Sequence, residues 1–280
     1  MKALFPKNVY MMLGYKIYML DNRLNLMVAW NLQESTLKDV KENRFEVAVL
    51  PVGSTEPHGL HLPYGADFYQ AKTVAEMACR KAAEMGAKVV MLPAIPYGSN
   101  RNSLGFPMTI SLDQATLNMV VRDIVDSLEH HGVRKLVILN GHGGNDFTPL
   151  MRDLYGKTKV FIVTVDWWKT VEDVRSIIIE EPGEHADEFE TSIGLALFPH
   201  LVQMEEAAEG FVNTPKVKSL TYPWARFTRP WHFLTVDSGF GNPLKSSKEK
   251  GEKILEKAVE RIAHLLKELS DSEISEGFPY

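Results

Sequence analysis

The chain has 280 residues, 45% hydrophobic and 24% charged, enough for one large α/β domain with a substantial core. A formal charge of −5 and the lack of any Lys/Arg-rich run exclude a basic footprint for nucleic acid or an acidic membrane surface, so the expected partner is a small molecule. The single Cys79 excludes an internal disulfide framework, suits a reducing compartment and reads as buried packing in a helix. No apolar run approaches the roughly 18 residues of a membrane span. The stretch Val9 to Leu20 is broken by Lys16 and followed by no small-residue cleavage site, so a cytoplasmic location is expected.

Residues 1–30, rich in Met, Tyr and Leu without periodicity, are expected to form an N-terminal packing arm, and 31–280 a single domain. Thr36 to Asn43 reads as a short polar helix. Val47 to Val52 is a continuous apolar run ended by Gly53, the pattern of a strand covered on both faces. A helix is expected from about Phe68 to Met85, a strand over Lys88 to Ile95, and a helix from about Leu112 to His131. Lys135 to Leu139 is a third strand, Phe147 to Tyr155 a helix, and Lys159 to Val165 a fourth strand running into Asp166-Trp167-Trp168. A helix over Asp187 to Phe198, a loop-rich stretch to Pro243 and a long amphipathic helix from Lys245 to about Leu269 complete the chain. Alternation of strands with helices predicts a parallel sheet with right-handed crossovers, and sites in such sheets collect at the carboxyl ends of strands.

Four motifs fall at such ends: the Glu56 loop after the first strand, the Asn100 loop after the second, His142 after the third and the Trp pair after the fourth. PVGSTEPHGLHLPYGAD, from Pro51 to Asp67, places Glu56, His58, His61 and Asp67 in one Gly/Pro-rich loop. Glu56 and His58 are two apart, so on extended backbone they point the same way and reach neighbouring metal positions. Asp67 precedes a helix, where a carboxylate either bridges two cations or simply caps the helix. His142, flanked by glycines in NGHGGN, is the candidate fourth ligand; that loop lacks the spacing and the lysine of a phosphate cradle. In HADEFETS, His185 sits before a helix, free to move with its loop as a proton-transfer group needs. Glu190 is placed to face a metal or orient a ligand, while a solvated helix start accounts for Asp187 and Glu188. Trp167 and Trp168 are candidates to stack on a planar ring.

Three ordered motifs, E-x-H with an Asp nine residues after the His, NGHGGN, and HA-x-E-x-ETS, make the chain resemble the creatininase (creatinine amidohydrolase) family from about Trp30 to the last helix. DSGFGNP (Asp237 to Pro243) is similar to the family's late turn. The resemblance implies a three-layer α/β/α sandwich with a mainly parallel central sheet, and two divalent metal ions (Zn, Mn or Fe). Glu56 and His142 would hold one metal, His58 the other, and Asp67 would bridge them; His185 matches the proton-shuttling histidine. It also implies a ring-shaped homo-oligomer, commonly a hexamer.

The departures bear on the substrate. Creatininase proper has Tyr and Glu where this chain has Gly143 and Gly144, and that Glu is a metal ligand there, which argues against creatinine itself. Asn102 and Phe106-Pro107-Met108-Thr109 replace the His and F-P-G-T of deformylase-like members, so the pocket has been recut around Asn102, Gly143, Gly144, Trp167 and Trp168. The expected activity is hydrolysis of a carbon–nitrogen bond in a small cyclic amide or formamide by metal-activated water. Ring opening of a cyclic keto-sugar of the dehydro-inosose type is the alternative, prompted by the polar loop Ser99 to Ser103. A non-catalytic binding protein is the third reading, though all four expected ligands are present.

Overall fold

The computed structural model describes residues 29–280. The expected arm lies outside them, apart from Ala29 and Trp30. The elements in chain order are α1 (Leu37–Glu42), β1 (Val47–Val52), α2 (Ala66–Glu84), β2 (Val89–Met91), α3 (Gln114–His130), β3 (Lys135–Asn140) and α4 (Thr148–Leu154), then β4 (Phe161–Asp166), α5 (Glu172–Ile178), α6 (Glu188–Leu197), the single turn α7 (Trp231–Leu234) and α8 (Lys248–Asp271).

The four strands are parallel, in the order β2-β1-β3-β4. All residues of β1 and β3 are buried, which is why both read as unbroken apolar runs. Val47, Val49, Val137 and Leu139 face a layer built from α2, α6 and α8. Ala48, Leu50, Val52, Leu136 and Ile138 face α3 and α4. The result is the α/β/α sandwich, with all four carboxyl ends on one rim.

β2 is shorter than its apolar run, 88–95, because Pro93 has no N–H to continue the ladder. Ile95 still donates to the Pro51 carbonyl at 2.9 Å. That contact also explains a proline inside a central strand: the N–H and C=O of one strand residue point to the same side, and on the Pro51 side β2 has already ended. Cys79 is buried among the α2 alanines, and loss of solvation pushes its thiol pKa up, so it is inert packing. Among the described residues no helix is long and apolar enough to cross a membrane.

α6, which carries functional side chains at its start, is held by α8 at very close range. A Cβ on Gly251 would lie 2.0 Å from the Ser192 carbonyl oxygen and 3.0 Å from the Ala196 Cβ. Ser192 Oγ also accepts from the Ser247 backbone N–H at 3.2 Å. Gly251→Ala is therefore expected to push the helices apart and cost about 1–3 kcal/mol, read as a lower urea midpoint. An unchanged midpoint would show that the helix contact yields without cost.

Candidate metal centre

Two glycines let three chain segments meet at the rim. A Cβ on Gly53, just past β1, would lie 2.5 Å from the Phe68 Cα, so the start of α2 presses against this loop and sets Asp67 beside Glu56 and His58. Gly141, just past β3, meets the same helix: its Cβ would lie 2.7 Å from the Ala71 Cβ and 2.9 Å from the Asp67 carbonyl oxygen. That approach delivers His142. Asn140 and Asn145 then brace its loop, with Asn140 Nδ2 donating to the His142 carbonyl at 2.9 Å and Asn145 Oδ1 accepting from the Ser99 N–H at 2.9 Å.

The donor atoms sort into two sets that share Asp67. His142 Nδ1 lies 2.9 Å from Glu56 Oε1 and 3.0 Å from Asp67 Oδ2. His58 Nε2 lies 3.0 Å from Asp67 Oδ1 and 4.0 Å from Glu190 Oε2. Each set could hold one cation, and the two oxygens of one carboxylate face one set each. A third grouping, Glu56, His58 and His185, overlaps them. Asp67 Oδ2 is buried and accepts no hydrogen bond despite its nearness to His142, as befits an oxygen whose partner is a metal.

The histidines are oriented for the same purpose. His58 Nδ1 lies 3.1 Å from the Glu56 backbone carbonyl, His142 Nε2 3.3 Å from that of Ser99, and His185 Nε2 2.9 Å from that of Pro57. A carbonyl oxygen only accepts, so each of these nitrogens carries the proton. The other nitrogen of each ring turns its lone pair toward the cluster.

Three positions differ from their reading in sequence. Asp187 and Glu188 are not a solvated helix start: both are buried, Asp187 capping α6 and pairing with Arg175 at 2.9 Å, Glu188 pairing with Lys250 at 2.5 Å. His185 is not loose in its loop. Its backbone pairs with Phe240 of the late turn, and its ring lies between His58 (4.2 Å between centroids) and Trp231 (5.3 Å). Gly144 is a steric requirement, since a Cβ there would lie 2.2 Å from the Ser99 carbonyl oxygen and 2.5 Å from His142 Nε2. Glu190 reaches in from α6 and brings a carboxylate within 4.0 Å of His58 Nε2. Its Oε2 accepts from the Ala186 N–H at 2.5 Å, with Ala186 at φ 51°, a conformation uncommon outside glycine and frequent at functional sites.

A cavity of about 350 Å³ opens over this cluster. Asn102, Gly143, Gly144, Trp167 and Trp168 all line it. Trp167 is also packed flat on Phe189 at 5.5 Å, so it is as much wall as ligand platform. The rest of the polar loop turns away: Asn100 Nδ2 donates to Ser54 Oγ, and Arg101 pairs with Asp113. His61 stands outside the cluster, 2.8 Å from Thr191 Oγ1, with its pKa lowered to about 4 by burial and by His58. Reading the sequence missed Gln70, Arg175, Glu184, Arg229 and Trp231, which line the cavity too. Gln70 had a signal, standing one helical turn after Asp67 on the same face; the others lie in loops or on a short helix without periodicity.

The sequence model of the creatininase family, creatinine amidohydrolase, matches residues 33–266. The creatinine amidohydrolase of Pseudomonas putida is 34% identical over 79% of this chain and 89% of its own length. The 3-dehydro-scyllo-inosose hydrolase of Thermotoga maritima is 30% identical over 63% of this chain and 59% of its own. Among solved structures, a Bacteroides fragilis protein designated a creatinine amidohydrolase superposes with a TM-score of 0.82 at 36% identity, covering 89% of this chain and 99% of that one. A mutant creatininase of Zn-Zn type gives 0.71 at 29% identity over 87% and 99%. Fold and donor set are thus of the metallohydrolase kind. The chain belongs to the creatininase family.

Protons occupy the cluster when metal does not. Burial works against charge on His58, but Asp67, then Glu190 and Glu56, outweigh it and push its pKa up to about 10. His142 is raised well above its ordinary value against the same burial, by Glu56 and Asp67. Burial raises Glu190, with His185 and His58 only partly opposing. A metal must displace the imidazolium protons, so affinity should climb with pH up to about 10. Titrating Zn²⁺ into metal-free protein at pH 7.5 should release roughly two protons per chain, read by calorimetry in buffers of different ionisation enthalpy. Binding without proton release would mean that the two histidines are not the ligands.

Proposed function

We propose that this protein is a dinuclear metal-dependent hydrolase that cleaves a carbon–nitrogen bond in a small cyclic amide or formamide. The observation that carries the reading is the Asp67 carboxylate, whose oxygens face two donor sets, each with one imidazole nitrogen and one further carboxylate. Glu56 and His142 would hold one ion, His58 and Glu190 the other, with Asp67 shared by both sets. When bound, two divalent ions there supply Lewis acidity and lower the pKa of a water to about 7.

The chain's own residues do the rest. His185 presents Nδ1 to the cavity while Pro57 fixes its other nitrogen, so it is set to pass a proton to the leaving nitrogen as the C–N bond breaks. Glu190 Oε2, 3.9 Å from that Nδ1, stabilises the charged ring. Trp168, Trp231 and Phe189 close the cavity against bulk water around a small planar substrate. The inward turn of the Asn100 loop leaves few hydroxyl partners, which sets the amide reading ahead of a keto-sugar. Exposed Trp224, Phe233 and Val236 suit a subunit contact in a cytoplasmic homo-oligomer, a hexamer by family resemblance.

Metal analysis of protein purified without added metal should give about two divalent ions per chain, falling in His58→Ala and His142→Ala. Hydrolysis of cyclic amides should stop on chelation and return with Zn²⁺, Mn²⁺ or Fe²⁺; full activity in metal-free protein sinks the proposal. His185→Ala should keep its metal and lose about 10²- to 10⁴-fold in kcat. A variant that loses metal instead would make His185 a ligand.

A further inference from the structure

The floor of the cavity holds an amide with nothing to bond to. Gln70 is 2% exposed, lines the cavity beside Asp67, Gly141 and Trp167, and its Nε2 is buried without a partner. Among the described residues no group hydrogen-bonds to either end of this amide. A buried unmet donor costs about 1–3 kcal/mol, and a leucine or methionine would fill the same space without that cost. Gln70 stands three residues after Asp67, so the two share one face of α2, and both line the cavity.

A primary amide offers a donor and an acceptor side by side. The complementary edge is a –CO–NH– unit in which C=O and N–H lie on the same side, the cis form. Open-chain secondary amides avoid that form by about 2.5–4 kcal/mol, whereas a small ring enforces it. A half-turn of the Gln70 amide exchanges its donor and acceptor, and a cyclic –CO–NH–CO– edge serves either orientation.

We infer that Gln70 is the specificity residue of this site, pairing its side-chain amide with the cis –CO–NH– edge of a cyclic imide or ureide. The inference rests on the amide-hydrolase reading of the cavity and names its substrate class. Ring carbonyl and N–H bind the floor at Gln70, and the aromatic residues cover the ring faces.

The test uses metal-loaded protein and two probes, succinimide and N-methylsuccinimide, which differ in the N–H alone. Dissociation constants come from quenching of cavity tryptophan fluorescence in rapid mixing, before turnover. Wild type should bind succinimide at least about tenfold more tightly than its N-methyl form. Gln70→Met and Gln70→Leu should bring that ratio close to one, keep their metal, and melt at or above the wild-type temperature, because an unmet polar group has been removed. A wild-type ratio near one, or a ratio that persists in both variants, overturns the assignment. So does a lower melting temperature or lost metal in both variants, since Gln70 would then be structural. Failure of the hydrolase reading looks different: the binding ratio and its loss in the variants would stand, with no amide hydrolysed.

Discussion

The site depends on one carboxylate being shared. Asp67 must stand at the first turn of α2 with its two oxygens pointing at two histidines that arrive on different strands, and this fixes much else. Gly53 and Gly141 have to be glycines because the backbone around Asp67 occupies the space their side chains would need. The His58 and His142 rings are turned by backbone carbonyls so that the nitrogen facing the aspartate is the one free to exchange its proton for a metal. Three carboxylates, Glu56, Asp67 and Glu190, converge with those rings. In metal-free protein imidazolium protons hold the charges together, as the raised pKa of His58 and His142 records. Buried charge of that density calls for cations.

Glu190 is a candidate donor that reaches the cluster by a different route from a residue on the loop after β3. Where creatininase proper places a Glu on the loop after β3, this chain has Gly144, and the Ser99 carbonyl occupies the space even a methyl group would need. The further carboxylate near His58 comes from α6. Holding it there requires the whole start of that helix: Asp187 caps it and is clamped by Arg175, Glu188 is tied to Lys250 on α8, and Ala186 takes a left-handed conformation to aim its N–H at Glu190. The buried salt bridges there are positioning devices, and the close Gly251–Ser192 contact is their foundation.

The sheet and the first ligand loop were legible because they obey local rules. Continuous apolar runs mark covered strands, glycines end helices, and E-x-H followed by Asp falls at a strand end. Local pattern misleads where long-range packing overrides it. Asp187 and Glu188 look like solvent-facing acids, and their basic partners, Arg175 and Lys250, are 12 and 62 residues away in sequence. His185 reads as mobile because its anchors, Pro57 and Phe240, come from distant loops. The polar loop Ser99 to Ser103 reads as substrate-facing, yet of its side chains Asn102 lines the cavity while the Asn100 amide is spent on Ser54 and on the Thr55 carbonyl. Trp231 lies in a stretch with no periodicity, so no pattern pointed to it.

The division of labour follows from the same contrast. The candidate metal donors sit on short extensions of β1 and β3 and on the first turns of α2 and α6, elements locked by the core on both sides of the sheet. The cavity walls come from elsewhere: the segment before α6 and the region around α7, joined across the mouth by the Arg229–Glu184 pair at 2.7 Å, with Arg229 over the Trp231 ring. An exposed ion pair of this kind contributes little to stability. Those walls can therefore be recut at small energetic cost while the donors cannot, because moving Asp67 would disturb two donor sets and two helix contacts together. Gln70 is the exception, a recognition group on the rigid part. A substrate edge read there is held in register with the metal donors by a single turn of helix.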